Sequence, residues 1–93
     1  MYNRILKRMR EAIRLRQYVM TLHASEEMED DEFTIYDVER CILTGAIAER
    51  QYEADLDKRK YLVQGLTFSE RGISVVAKLC VTGKLVIITV YAT

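Results

Sequence analysis

Two apolar segments near the C-terminal end, separated by a tight turn, constrain the fold more than any other part of the sequence. Residues 73–81 place apolar side chains at every second position, and residues 85–91 (LVIITVY) are apolar on both sides. A period of two is typical of a β-strand, and the Thr-Gly-Lys segment between the two runs indicates a β-hairpin. The second strand should lie inside a sheet, because both of its faces are apolar.

Three more strands are predicted upstream of this hairpin. Residues 46–52 and 60–66 are strands separated by the charged loop EADLDKR, and residues 17–22 (QYVMTL) form a short strand by the same alternation. The segment SERG turns the chain into the hairpin. The four C-terminal strands therefore follow one another as a meander.

Three helices are predicted from apolar residues at helical spacing. They cover about residues 3–15, residues 24–30 and the segment FTIYDVERCILTG. Asn3 is the expected cap of the first helix, and Gly45 is expected to end the last one in a left-handed conformation.

The last helix has the most complete start signal. Thr34 and Asp37 have the spacing of a capping box, with Asp37 in place of the usual glutamate. Phe33 and Val38 occupy the two positions of a hydrophobic staple. A helix is therefore predicted to begin directly after Thr34.

The resulting expectation is one α+β domain over residues 1–93. A basic amphipathic helix occupies residues 1–16, and the core of residues 17–92 has the order β-α-α-β-β-β-β with a mostly antiparallel sheet. Hydrophobic residues make up 49% of the chain, which is enough apolar material to fold without a metal or disulfides.

Charge is distributed unevenly along the chain, although the formal net charge is +0. Residues 1–18 carry six basic residues against Glu11 alone, and residues 25–39 carry eight acidic residues with no basic one. This asymmetry predicts an electrostatic match between the two segments, within one chain or across a dimer. Partner contacts are assigned to Arg4, Lys7, Arg8, Arg14, Glu29, Asp30 and Asp31.

The basic helix has three interpretations from its sequence. It packs on the sheet of its own chain, docks on a partner protein, or contacts RNA or anionic lipid. Its apolar stripe is narrow and the chain is small, which favours packing within the chain.

Several classes of protein are disfavoured by the composition. The longest apolar runs are too short to span a bilayer, and no signal peptide is recognisable, so no membrane association is expected. Cys41 and Cys80 are a lone, widely spaced pair, which predicts reduced, buried thiols in a cytoplasmic protein. The sequence contains no glycine-rich phosphate loop and no Cys/His cluster, so neither a cofactor nor a metal is expected.

Scattered residues of the core carry a resemblance to a known group of proteins. They are His23-Ala24, Met28, Asp37-Val38, Tyr61-Leu62-Val63 and Ile87-Ile88-Thr89-Val90-Tyr91. On these residues the chain resembles a domain-of-unknown-function family of small bacterial proteins, similar in layout to the BrnT-type and RelE/ParE-type toxins of toxin–antitoxin pairs. The resemblance implies a RelE-like fold and a metal-independent mRNA ribonuclease whose partner is an antitoxin protein.

One departure from the resembled pattern concerns the acidic segment. The family usually has arginine just before the methionine and again a few residues after it, whereas here Glu27 precedes Met28 and Glu29, Asp30 and Asp31 follow. RNA phosphates would be repelled by these carboxylates. The acidic segment is therefore expected to meet a basic helix and not an RNA strand.

His23 is the single histidine of the chain, and its sequence context leaves several roles open. Histidine is the side chain that most often serves as a general base, so His23 can take a proton from a ribose 2′-hydroxyl. It can instead cap the acidic helix or pair with Glu26 or Glu27 one turn later. No second ligand stands at metal-binding spacing, which argues against zinc.

The remaining catalytic candidates are basic and tyrosine residues of the sheet. Arg50, Arg59 and Lys78 can stabilise a phosphate in a transition state, and Tyr91 can act as an acid or an anchor. Lys78 interrupts an apolar strand, so it either serves a site or extends its stem to Glu49 or Glu53.

Two functions follow from these observations. The first is a toxin that cuts or binds RNA, with His23, Arg50, Arg59, Lys78 and Tyr91 as its catalytic residues. The alternative is a non-enzymatic interaction module that forms a homodimer or binds a small partner protein through a sheet edge or the N-terminal helix.

Overall fold

The computed structural model describes residues 2–53 and 58–93, without the side chains of residues 52, 53 and 58. The helices are α1 (Asn3–Arg14), α2 (Leu22–Asp30) and α3 (Ile35–Thr44), and the strands are β1 (Tyr18–Met20), β2 (Ala46–Glu53), β3 (Lys58–Leu66), β4 (Gly72–Leu79) and β5 (Leu85–Ala92). This order confirms the predicted α+β arrangement. Most of the predicted EADLDKR loop, residues 54–57, lies outside the described residues.

The five strands form one sheet in the order β1-β5-β4-β3-β2. Strands β2 to β5 are an antiparallel meander, and β1 pairs with β5 in parallel. Strand β5 is therefore interior, as its apolar composition predicts. The β4–β5 turn contains Gly83 at φ 91, a backbone conformation that glycine adopts without steric cost.

All three helices pack on one face of the sheet, which we call the helix-covered face. Its strands contribute Tyr61, Val63, Ile73, Val75, Ala77, Leu85, Ile87 and Val90 to the core. The helices add Met9, Ala12, Ile13, Ala24, Val38, Cys41 and Ile42. The alternate strand residues point to the opposite side, the helix-free face, because successive side chains of a strand alternate.

The predicted start of α3 is confirmed. The Thr34 backbone N–H donates to the Asp37 carboxylate at 2.9 Å, and the Asp37 backbone N–H donates to Thr34 Oγ1 at 3.3 Å, which completes the capping box. Phe33 and Val38 are both buried in the core. Local sequence alone therefore fixes where this helix begins.

The predicted end of α3 is wrong in its conformation. Gly45 has φ -83 and ψ -167, which is extended and not left-handed. A Cβ at Gly45 would lie 2.4 Å from the backbone oxygen of Gln64 and 2.5 Å from that of Cys41. Glycine is required here because the helix end passes directly over β3.

The predicted cap of α1 is also wrong. Asn3 is the first helical residue, and Tyr2 precedes it without a side-chain capping bond.

Inside α1, Arg10 has a role that its sequence context does not reveal. Its Nε donates to the Ile42 carbonyl at 3.0 Å and its Nη2 to the Gly45 carbonyl at 2.8 Å. Arg10 thereby satisfies carbonyls at the end of α3, where a cation is also favoured by the helix dipole.

The two cysteines occupy different environments. Cys41 is fully buried, and its thiol lies 3.5 Å from the Val63 carbonyl oxygen. Burial raises the pKa of the Cys41 thiol to about 12. Cys80 is only half-buried, so the expectation of burial is confirmed for Cys41 alone.

Candidate functional site

His23 lies on the surface near the start of α2 and does not cap that helix. The cap is Thr21, whose Oγ1 accepts from the Ala24 backbone N–H at 3.1 Å, so the predicted capping role is wrong. The predicted pairing is confirmed, because His23 Nε2 lies 3.1 Å from Glu27 Oε1 one turn later. The His23 side chain is 67% exposed.

Arg50 and Arg59 lie on the β2–β3 pair, at the far edge of the sheet from α2. Arg50 is directly opposite the core residue Tyr61, and Arg59 is opposite Tyr52, so both belong to the helix-covered side. Both side chains are exposed. Strands β5 and β4 therefore separate His23 from the two arginines.

Lys78 and Tyr91 lie on the helix-free face. Lys78 is opposite Lys60 on one side and Val86 on the other, and Tyr91 is opposite Ser74. Lys78 and Ser74 are four positions apart on β4, which corresponds to about 13 Å along the strand. The five candidate catalytic residues thus occupy both sides of the sheet and both of its ends.

The basic residues assigned to partner contacts are all exposed on α1. Among the described residues, none of Arg4, Lys7, Arg8 and Arg14 forms an ion pair with an acidic side chain. The predicted charge match is therefore not made within the described part of the chain. Packing of the helix on its own chain is confirmed, since Met9, Ala12 and Ile13 are buried against α3 and β5. A match across a dimer stays a prediction.

Two residues of the acidic segment complete the edge of the sheet. Strand β1 covers only the first half of β5, and α2 runs beside the second half. There the Glu27 carboxylate accepts from the Val90 backbone N–H and the Asp31 carboxylate from the Ala92 N–H, both at 3.2 Å. Such N–H groups would otherwise offer a template for another strand. Glu29 and Asp30 stay exposed.

The helix-free face has an apolar centre. Leu62 and Val76 lie side by side on β3 and β4, and Val86 and the 42% exposed Val19 continue the surface across β5 to β1. Leu62 and Val76 are nearly buried, although they do not belong to the core cluster that the helices cover. The second apolar face of β5 is thus left without a covering layer in the described structure.

Lysine residues border this apolar centre at one end. Lys60 and Lys78 are directly opposite each other, and Lys84 follows opposite Cys80 in the β4–β5 turn. Lys78 is half-buried and forms no ion pair with Glu49, while the Glu53 side chain lies outside the described ones. Lys78 therefore places a positive charge beside the apolar Val86 at this end of the face.

A hydrogen bond on the helix side ties β1 to α3. The Tyr18 hydroxyl donates to Glu39 Oε2 at 2.5 Å. Burial, together with this bond to a carboxylate, raises the pKa of Tyr18 to about 12. This hydrogen bond holds the Glu39 side chain toward β1.

Residues 2–53 and 58–93 lack the features of two other protein classes. No helix there is long and apolar enough to cross a membrane. No group of three or more His, Cys, Asp and Glu side chains in these segments is arranged to hold a metal ion.

Comparison with known proteins identifies the family. Residues 20–92 match the family model described as Domain of unknown function (DUF4258), and the chain belongs to this family. The match begins at the last residue of β1, covers β2 to β5 with α2 and α3, and leaves α1 outside. No curated protein and no solved structure matches the chain.

Proposed function

We propose that this protein is a non-enzymatic protein-interaction module that binds its partner through the helix-free face of the sheet. The observation that best supports the proposal is an apolar centre with partly exposed Val86 and Val19 beside Leu62 and Val76, on a face where no described helix packs. Strands that are apolar on both faces are normally covered on both faces. A partner supplies the missing layer.

The composition of the face also supports a protein partner. Protein interfaces combine an apolar centre with a polar rim. Here Val76 and Val86 lie at the centre, and Lys78 and Glu49 lie at the border. The partner is a second copy of the chain or another small protein, in a cytoplasmic setting that is consistent with two free thiols.

The scatter of the catalytic candidates favours binding over catalysis. A general base and the groups that stabilise a phosphate must lie within hydrogen-bond reach of one reacting group. His23 lies on the helix side, and Lys78 lies on the opposite face. These two residues do not act on one phosphate in this arrangement.

Crosslinking from defined positions tests the proposal. A photoreactive benzophenone amino acid replaces Val86 on the helix-free face or, as a control, Leu15 in the exposed turn after α1. We expect an adduct from position 86 alone, and its mass distinguishes a homodimer from a different partner. Val19→Glu should abolish the adduct, whereas Leu15→Glu should not. A chain that sediments as a monomer at about 100 µM and yields no adduct from position 86 in cells would contradict the proposal.

The second candidate function is an RNA-cutting toxin with a RelE-like fold, similar to the BrnT-type toxins. The element order supports it, as does the presence of Lys60, Lys78, Lys84 and Tyr91 on one exposed face. Cationic side chains on an open sheet face can hold an RNA backbone. In this reading the partner is an antitoxin that covers the same face.

Induced expression in bacteria separates the two candidates. A ribonuclease toxin arrests growth and depletes bulk mRNA, and His23→Ala combined with Lys78→Ala relieves both effects. Arg8→Ala, an exposed change on α1, serves as the control. Unchanged growth and unchanged mRNA would eliminate the toxin and leave the interaction module.

A further inference from the structure

A second exposed surface lies on the opposite layer of the molecule, between α3 and the turn that joins β3 to β4. Its lining residues are Tyr36, Glu39, Arg40, Leu43, Thr44 and Phe68, and they enclose a groove of about 150 Å³. A cavity of roughly this volume accepts one benzene-sized group. The groove therefore has room for one apolar side chain of a partner.

The walls of the groove are aromatic and unusually exposed. Tyr36 is 64% exposed and Phe68 is 67% exposed, and Leu43 lies between them as a half-buried floor. Exposed aromatic residues next to arginine are the residue types most enriched at protein interfaces.

Arg40 gives the groove its charge. Its guanidinium carbon lies 4.5 Å from the centroid of the Phe68 ring. The buried Nε of Arg40 has no hydrogen-bond acceptor, and the side chain forms no ion pair with any described carboxylate. Glu39 is the acidic residue of the lining, and its Oε2 is already engaged by the Tyr18 hydroxyl on β1. Because Nε is buried, a carboxylate from a partner would pair with the terminal N–H groups of this half-buried side chain.

A second cation–π contact lies in the same turn but outside the groove. The guanidinium carbon of Arg71 lies 4.5 Å from the centroid of the Phe33 ring. The turn therefore supplies the ring of one contact, Phe68, and the cation of the other, Arg71. Cation–π pairs of this kind stabilise a surface modestly while they fix side-chain geometry. The Arg40–Phe68 contact therefore orders one wall of the groove before any partner binds.

We propose that this groove binds a segment of a partner protein that presents one apolar side chain next to a carboxylate. The apolar side chain enters between Tyr36, Leu43 and Phe68, and the carboxylate pairs with the Arg40 guanidinium. A nucleic acid fits less well, because the groove contains a single cation and an acidic neighbour in Glu39. The site is separate from the helix-free face and does not depend on it.

Selection from a random dodecapeptide library displayed on phage, with the full chain as bait, tests this assignment. We expect enriched peptides to share an apolar residue within two positions of Asp or Glu. In ¹⁵N–¹H spectra such a peptide should shift the Arg40 side-chain Nε–H signal and the amides of Tyr36 and Phe68. Arg40→Gln should weaken its binding at least about tenfold, because hydrogen bonds to charged groups are lost.

Arg71→Gln is the matched control, since Arg71 also stacks on a phenylalanine but does not line the groove. It should change peptide affinity less than about twofold, and so should Val19→Glu, which disrupts only the helix-free face. Four results overturn the assignment: no enrichment, enriched peptides that lack an acid, shifts of the same signals by a single-stranded RNA decamer, or shifts with protein concentration alone. The last would assign the groove to a second copy of the chain.

Discussion

The two faces of the sheet are built from the same strands, yet only one of them completes the fold. On the helix-covered face, Val75, Ile87 and Val90 are fully buried under three helices. On the helix-free face, Val86 is half-exposed, and Leu62 and Val76 are nearly buried without belonging to the helix-covered core. Alternation along a strand thus gives one surface that supplies folding energy and another that is available for binding.

The sharpest test compares two neighbouring residues of β5. Ile87→Ala removes a fully buried side chain and should lower the free energy of unfolding by about 2–5 kcal/mol. Val86→Ala should lower it by less than about 1 kcal/mol, because its side chain contacts no covering layer. Urea unfolding of dilute protein measures both. Equal losses at the two positions would mean that the helix-free face is already covered in the free protein.

A second comparison concerns two arginines of α1. Arg10→Gln removes two hydrogen bonds to carbonyls at the end of α3 and should cost about 2 kcal/mol of unfolding free energy. Arg8→Gln changes an exposed side chain without a described ion pair and should change stability by less than about 0.5 kcal/mol. Thermal unfolding distinguishes them. A large loss for Arg8→Gln would indicate that the basic stripe is engaged within the chain.

The pH dependence of stability isolates a contact of the helix side. Tyr18→Phe removes the bond to Glu39 and should cost about 1 kcal/mol at pH 8. Since the pKa of Tyr18 is raised from 10.0 to about 12 in the folded chain, the wild-type advantage is complete below pH 10. It should shrink as pH rises from 10 toward 12, because the unfolded chain then loses its proton first. A difference that stays constant from pH 8 to pH 11 would show that Tyr18 is not held by Glu39.

The smallest expected effect concerns the lysine pair of the helix-free face. Lys78→Glu places an acid directly opposite Lys60 and should stabilise the free chain by about 0.2–1 kcal/mol. Lys84→Glu, opposite Cys80, is the control and should give no such gain. The gain should diminish in 0.5 M NaCl. If Lys78→Glu destabilises the free chain, the two lysines do not repel each other across the strands.

The sequence predicted the parts of the fold that depend on local patterns. Alternation located β4 and β5, and the capping box located the start of α3, because these signals lie within a few residues of the structure they specify. The end of α3 was predicted in position but not in conformation. Gly45 is required by the approach of Gln64, nineteen positions later, which no local pattern contains.

Long-range polar contacts account for most of what the sequence did not predict. Arg10 contacts carbonyls more than thirty positions away, and Glu27 contacts the backbone of Val90. No sequence pattern distinguishes Arg10 or Glu27 from the charged residues beside them. The groove at Arg40 was missed for the same reason, since Phe68 comes from a turn that only the folded chain brings to α3.

The position of β5 has a consequence for how the chain is made. Strand β5 is the neighbour on which β1 pairs, and its Val90 and Ala92 amides are the groups that α2 engages. While the ribosome is still adding residues 85–92, β1 and α2 have no strand to pair with. Vectorial synthesis therefore delays the docking of these two elements until β5 has been made, and a chaperone that holds apolar nascent segments can act in that interval.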